Sequence, residues 1–227
     1  MSTLPIGKIG IVYGPVTANS DMFDLKIIGK GGHSSEPENS IDPIVMTAQF
    51  ITNLQQIVSR NLDPKEKLVI STTTLQAGSA KNVIPEFVQI GGSVRSFSPK
   101  VREQAISLIE RIAKGVTQAH GGSYEFQYHY GYSTVFNDAD LTKIVEGCIT
   151  EEFGSEFVLY GEGAMGGEDF SAYLEKAPGC FIPVGAGNAK KGIVHPHHHP
   201  RFDIDEESLE YGVRIFVSLS KKILGRG

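Results

Sequence analysis

From Asp21 to Tyr132 the spacing of apolar residues switches between a period of two and a period near 3.6. The order is strand, helix, strand, strand, helix, strand. In Asp21–Ile28, Phe23, Leu25 and Ile27 fall on one face and Asp24 and Lys26 on the other, the mark of a half-buried strand. Gly29-Lys30-Gly31-Gly32 then permits a sharp turn. Asp42 followed by Pro43 reads as an N-cap with proline at the first helical position, and Ile44, Ala48, Ile51, Leu54 and Val58 continue at helical spacing to about Arg60. Leu68–Thr74 is dense in β-branched residues and reads as a second strand. In Phe87–Phe97, Val88, Ile90 and Val94 oppose Gln89, Ser93 and Arg95. Ser98-Pro99 opens a second helix with the stripe Val101, Ala105, Leu108, Ile112, Val116 and Ala119, and Gly121-Gly122 stops it. Tyr124, Phe126, Tyr128 and Tyr130 alternate with Glu125, Gln127 and His129 in the fourth strand. This order predicts a ferredoxin-like split βαβ domain: a four-stranded antiparallel sheet with both helices on one face and the other face open.

After Asn137 the pattern changes. Asp140–Phe153 reads as a helix, Gly161–Gly167 as a loop, Glu168–Lys176 as a short helix and Cys180–Val184 as a buried strand. Asp205 is placed to cap a last helix, with Glu206 and Glu207 in its first turn, Lys221 and Lys222 in its last, and a packing face of Leu209, Val213, Phe216, Ser220, Ile223 and Leu224. One or two strands with three helices make a poor domain alone, so this part reads as the end of something larger. Hydrophobic residues at 40% and charged residues at 21% of 227 are enough for a core and a solvated surface, which excludes a disordered tail. No apolar run reaches the roughly 18 residues of a membrane span, and Met1–Gly7 lacks the pattern of a signal peptide. A net charge of -5 argues against nucleic acid as a partner, and two cysteines are too few for a disulfide framework. The expectation is a soluble, cytoplasmic α/β protein.

Four of the seven histidines lie in His195-Pro196-His197-His198-His199-Pro200. Imidazole is the commonest metal ligand, yet a solvated polar loop or an adventitious binder of nickel or zinc has the same composition. His33, just after the first strand, reads equally as a turn residue. Arg95, on the open sheet face, has the fork to clamp a carboxylate, though an exposed arginine there is ordinary. Met165-Gly166-Gly167-Glu168-Asp169-Phe170 joins a flexible loop to two adjacent carboxylates, which also suits a helix N-terminus.

Taken together, Gly29-x-Gly31-Gly32-His33-Ser34-Ser35-x-Pro37, Asn82-Val83-Ile84-Pro85 and Gly92-x-Val94-Arg95-x-Phe97 resemble the lid domain of the dinuclear-metal amidohydrolases and peptidases. That family includes aminoacylases, hippurate hydrolases and indole-acetyl-amino-acid hydrolases. Gly167-Glu168-Asp169-Phe170-Ser171 and His198-His199-Pro200-Arg201-Phe202 resemble the closing part of its catalytic domain, so the resemblance runs from about Gly7 to Gly225. It implies a remnant of a catalytic domain over 1–20, a ferredoxin-like lid and dimerisation domain over 21–134, and over 135–227 the incomplete C-terminal part of an α/β zinc-peptidase-like domain. It implies a homodimer formed through the lid, and hydrolysis of N-acyl amino acids or small peptides with two divalent ions such as zinc, manganese or cobalt. By the same resemblance His198 is a metal ligand and His33 polarises the scissile carbonyl in the partner subunit's site. Asn82 and Arg95 hold the substrate backbone and carboxylate, with Gly167 and Glu168 beside the substrate.

In the family the other ligands, a bridging acid and a Glu-Glu pair containing the general base precede the lid. Only about 20 residues precede it here, and Glu151-Glu152 and Glu206-Glu207 both follow it. The chain is therefore expected to be inactive by itself, with metal absent or weakly bound through His198. The alternative is a non-catalytic dimerisation or regulatory module that retains the lid. Within the histidine loop, the His-x-Pro-x-Phe spacing predicts that His198 is more buried than His197.

Overall fold

The structure, a computed structural model, describes residues 1–225. In chain order the strands are β1 (Ile9–Ile11), β2 (Gly14–Thr17), β3 (Asp21–Ile28), β4 (Gly32–His33), β5 (Leu68–Ala77), β6 (Val83–Ile84), β7 (Phe87–Ser96), β8 (Ser123–His129), β9 (Val135–Asn137) and β10 (Val158–Tyr160). The helices are α1 (Pro43–Gln56), α2 (Pro99–His120), α3 (Ala139–Phe153), α4 (Ser171–Leu174) and α5 (Glu207–Ile223). The chain divides into two compact units. One holds Met1–Val16, Val135–Ala164 and the chain from Phe170 onward, and the other holds Thr17–Thr134 with Met165–Asp169.

The second unit has a four-stranded sheet in the order β5-β7-β3-β8 with every neighbour antiparallel. Asp21 pairs with Val94 and Ile28 with Phe87, so β3 and β7 run the length of each other. Phe23, Leu25, Ile27, Val88, Ile90 and Val94 form the buried face, and α1 and α2 cover it with Met46, Phe50, Leu54, Val101, Ala105, Ile109, Ile112 and Val116. This is the split βαβ arrangement that the periodicity predicts. The α2 caps are as read: Ser98 Oγ accepts from the Val101 N–H at 3.4 Å, and Gly121 ends the helix at φ 74.

The buried face of α1 is a correction. Asp42 caps it, its Oδ1 accepting from the Ile44 N–H at 2.8 Å, but Ile44, Ala48 and Val58 are exposed, and Ala119 at the end of α2 is exposed too. The residues turned inward are Met46, Phe50, Leu54 and Ile57. The α1 sequence carries two apolar stripes about 100° apart, and the helix rolls to bury the one with Met46 and Phe50, which removes more apolar area from water. The last turn, Ile57–Asn61, is a π-turn.

In the first unit β1 and β10 form a parallel pair, Ile9 opposite Val158 and Ile11 opposite Tyr160, and β2 pairs with β9. Asp138 caps α3, its Oδ1 accepting from the Leu141 N–H at 2.9 Å. Ile9, Ile11, Val145, Ile149 and Ile215 form the core. Three expectations need correcting here. Cys180–Val184 is half-buried extended chain with no ladder of its own: Pro183 has no N–H to donate, and Asn137 holds the segment by accepting from the Phe181 N–H at 2.7 Å and donating to its carbonyl at 3.0 Å. The helix expected over Glu168–Lys176 contracts to α4. On α5, Leu209, Val213, Phe216, Ile223 and Leu224 face solvent, Phe216 at 72% exposure, while Ile215 and Ser208 turn inward. A helix stripe of that width and a parallel pair of strands are both features that larger α/β domains bury. Asp205 does lie at the α5 start, its Oδ1 accepting from the Glu207 N–H at 3.3 Å. No helix among the described residues is long and apolar enough to cross a membrane.

Candidate functional site

Five of the six residues singled out from sequence lie in the second unit, in two groups. The short antiparallel pair β4–β6 sets His33 opposite Val83, and the Ser34 N–H donates to the Asn82 carbonyl at 3.1 Å. His33 and Asn82 are therefore neighbours, and both are exposed. The second group lies at the far end of β7. Arg95, half-buried, follows Val94, the partner of Asp21. A Cβ built on Gly167 would lie 2.9 Å from Arg95 Nη1 and 2.7 Å from the Ser20 Cβ, so only glycine lets this loop come so close to the guanidinium. Glu168 is half-buried beside it and its Oε1 accepts from the Asp169 N–H at 3.1 Å. No carboxylate pairs with Arg95 among the described residues. From Phe87, which follows the β6 turn, to Arg95 the strand runs roughly 25 Å, so one copy of this unit cannot bring both groups to one small ligand.

Two side chains that the sequence reading passed over hold the Arg95 end in place. Asn19, buried, accepts from the Ser96 N–H at 2.8 Å and the Ser96 hydroxyl at 2.6 Å, and donates to the Val94 carbonyl at 3.1 Å. It thus grips the residues on both sides of Arg95. The next amide back, Ala18 N–H, donates to the Gly166 carbonyl at 3.0 Å and anchors the glycine loop. The second is Asp21, buried with Arg102 and Tyr128 on its carboxylate. Local sequence carries no sign of either role, because both depend on residues about 75 to 110 positions away.

His198 lies in the other unit. It and His197 are both exposed. The half-buried pair in this loop is His195 and His199, stacked with ring centroids 4.2 Å apart. The His195 ring is held below the ordinary imidazole range by desolvation first, then by the charges of Arg201 and His199. His197 packs edge-on against Phe202 at 5.0 Å. The His199 Nδ1 accepts from the Arg201 N–H at 3.0 Å, so its neutral ring carries its proton on Nε2. That leaves His198 with no hydrogen bond or ring contact among the described residues. Its backbone, at φ 66, is the only non-glycine in the left-handed region among them. Such a conformation costs a β-carbon-bearing residue roughly 1–2 kcal/mol, and asparagine tolerates it better. His198→Asn is therefore expected to raise the unfolding free energy by up to about 1 kcal/mol, whereas His197→Asn leaves it flat or lowers it, as urea melts would show.

The donor set does not fit a two-metal centre. Among the described residues no group of three or more His, Cys, Asp or Glu side chains could hold a metal ion. Three of the four glutamates in the Glu-Glu pairs are engaged elsewhere: Glu152 with Arg214 at 2.8 Å, Glu151 with Lys222 at 2.7 Å and Glu207 with Lys191 at 3.1 Å.

Residues 2–222 match the peptidase family M20/M25/M40, and the chain belongs to that family. It is 37% identical over 221 residues to the N-acetylcysteine deacetylase of Bacillus subtilis, covering 97% of this chain and 56% of that protein. It is 54% identical over 136 residues to the N-acyl-L-amino acid amidohydrolase of Geobacillus stearothermophilus, covering 60% of this chain and 37% of that protein. Among solved structures, the YXEP protein of Bacillus subtilis, a dinuclear-metal-binding peptidase, superposes with a TM-score of 0.82 at 30% identity, covering 100% of this chain and 56% of that one. The chain thus spans about half the length of the relatives it matches.

Proposed function

We propose that this chain supplies the substrate-gripping lid and the closing segment of a metal-dependent amidohydrolase acting on N-acyl amino acids or small peptides, and that it hydrolyses them only when the rest of a catalytic domain is supplied. The observation that carries the reading is Arg95: a half-buried guanidinium without a carboxylate partner among the described residues, approached by a loop that must be glycine. A bidentate clamp on a substrate carboxylate satisfies that group. Asn82 grips the substrate's amide backbone, Glu168 lines the same loop as Gly167, and His33 donates to the carbonyl that is attacked. His198 would contribute one ligand to a zinc, manganese or cobalt pair, for which the described residues offer no group of three or more ligands. The exposed α5 stripe is consistent with a further segment packing there. A cytoplasmic location accords with free Cys148 and Cys180.

The test is complementation. The part of the Bacillus subtilis deacetylase that this chain does not match is added in trans, and release of amino acid from N-acetyl substrates is measured with divalent metal. Hydrolysis should appear, and Arg95→Ala should raise KM for carboxylate-bearing substrates by roughly 10–100-fold, the worth of a lost charged hydrogen bond. No hydrolysis from a folded, assembled mixture favours the non-catalytic module.

The reading also includes a homodimer through the second unit. His33, in the separate β4–β6 pair, and Arg95, at the far end of β7, are separated by roughly the length of that strand, so a site using both needs two copies. The β5 edge, Leu68–Ala77, has no charged residue to block strand pairing, unlike β8 with Glu125. An interface of about 1,000 Å² or more should give a dimer in sedimentation at micromolar concentration. A single species near the 24.6 kDa chain mass would rule the dimer out.

A further inference from the structure

We propose that Ser35 is a positioning residue for His33, clamping Nδ1 so that the neutral ring keeps its proton on Nε2 and serves as a hydrogen-bond donor. The Ser35 backbone N–H lies 3.2 Å from His33 Nδ1 and can only donate, so Nδ1 must supply the lone pair. The Ser35 Oγ lies 2.7 Å from the same nitrogen, and its hydroxyl proton turns the same way. The backbone around the clamp is itself held: the Glu36 N–H donates to the His33 carbonyl at 3.0 Å and the Ser34 N–H to the Asn82 carbonyl at 3.1 Å. Ring and main chain are thus tied at separate atoms, which limits rotation of an otherwise exposed side chain.

The choice of tautomer decides what the ring can do. With the proton on Nε2, His33 can polarise a carbonyl or stabilise an oxyanion. In the same form Nε2 is neither a metal ligand nor a general base. The geometry therefore assigns the ring to donation and removes it from the pool of candidate ligands. The single-donor version of this clamp occurs at His199, where the Arg201 N–H alone reaches Nδ1, at 3.0 Å, and the Phe202 N–H donates to the carbonyl at 2.9 Å. The added hydroxyl is what distinguishes Ser35. Only the identity of the group facing the donor rests on the hydrolase reading; the tautomer belongs to this unit alone.

The test is a long-range proton–nitrogen correlation spectrum of the nitrogen-15-labelled full chain, recorded where the imidazoles are neutral, with His33→Gln assigning the resonance. The Nε2–H form of His33 should exceed the Nδ1–H form by about tenfold or more, as an added hydrogen bond on one tautomer allows. Ser35→Ala, with amide signals elsewhere unchanged, should reduce that excess several-fold, and Ser35→Thr should restore it. A wild-type ring protonated on Nδ1, or a Ser35→Ala spectrum identical to wild type, overturns the proposal. Either result leaves the hydrolase reading standing, and a failed complementation assay leaves the tautomer assignment standing.

Discussion

Purified alone and given zinc, manganese or cobalt, the 227-residue chain is expected to release amino acid from N-acetyl and N-benzoyl substrates far more slowly than about 1 per second, the low end of ordinary turnover. Metal-assisted hydrolysis needs about three protein ligands to fix an ion and a base to take the proton from its bound water. The described residues offer no group of three such ligands, and of the four glutamates in the Glu-Glu pairs, Glu152, Glu151 and Glu207 are in ion pairs with Arg214, Lys222 and Lys191. Metal analysis after dialysis should find far less than one ion per chain, and chelator should change nothing. The contrast with the complemented assembly is the sharper part. There His198→Ala should abolish metal-dependent activity and His197→Ala should be mild, because His197 packs on Phe202 while His198 is unengaged. In the lone chain neither substitution should matter. Turnover at about 1 per second or faster from the lone chain would refute the reading, and equal effects of the two substitutions in the assembly would refute the choice of His198.

How far the sequence revealed this structure depends on whether each segment finds its partner inside its own unit. β3, β7 and all of the α2 stripe but Ala119 are buried on the faces their spacing predicts, because each packs on the others within one small domain, while β8 sets Tyr124, Phe126 and Tyr128 half-buried on that face and Tyr130, past its end, is exposed. α1 has two apolar stripes, and local spacing holds no information about which one the sheet accepts. On α5 the spacing marks an apolar stripe, but Phe216 and Leu224 on it are exposed among the described residues. The closing region departs from its pattern for a different reason. Cys180–Val184 has strand-like composition, but Pro183 and the Asn137 side chain replace a ladder with two specific hydrogen bonds. The site was legible only as motif. That Gly167 touches Arg95 across 72 positions, while His33 lies a strand's length away, follows from register and not from any local pattern.

Asp21→Ala is expected to lower the unfolding free energy by roughly 3–5 kcal/mol, the usual cost of removing one partner from a buried ion pair. Its carboxylate is fully buried and saturated. Arg102 Nε donates to Oδ2 at 2.6 Å and its Nη2 to Oδ1, the Tyr128 hydroxyl donates to Oδ2 at 2.6 Å, and the Gly131 N–H donates to Oδ1 at 2.9 Å. Alanine would leave a largely buried guanidinium and a phenol without an acceptor, which costs more than the bonds themselves contribute. A loss under about 1 kcal/mol in urea melts would show that water replaces the carboxylate, contrary to this account. The same cluster sets an alkaline limit. Burial first, then the hydrogen bond to Asp21 and its charge, raise the Tyr128 pKa above the ordinary 10.0. A group raised on folding contributes fully below its unfolded pKa and loses its contribution as pH climbs toward the folded value. Stability should therefore fall as pH rises above about 10, and Tyr128→Phe should flatten that limb. The consequence reaches the site, because Asp21 pairs across the sheet with Val94, immediately before Arg95. Loosening the start of β3 removes the support beneath the guanidinium, so in the complemented assembly Asp21→Asn, which keeps the shape but not the charge, should weaken binding of carboxylate substrates while the chain stays folded.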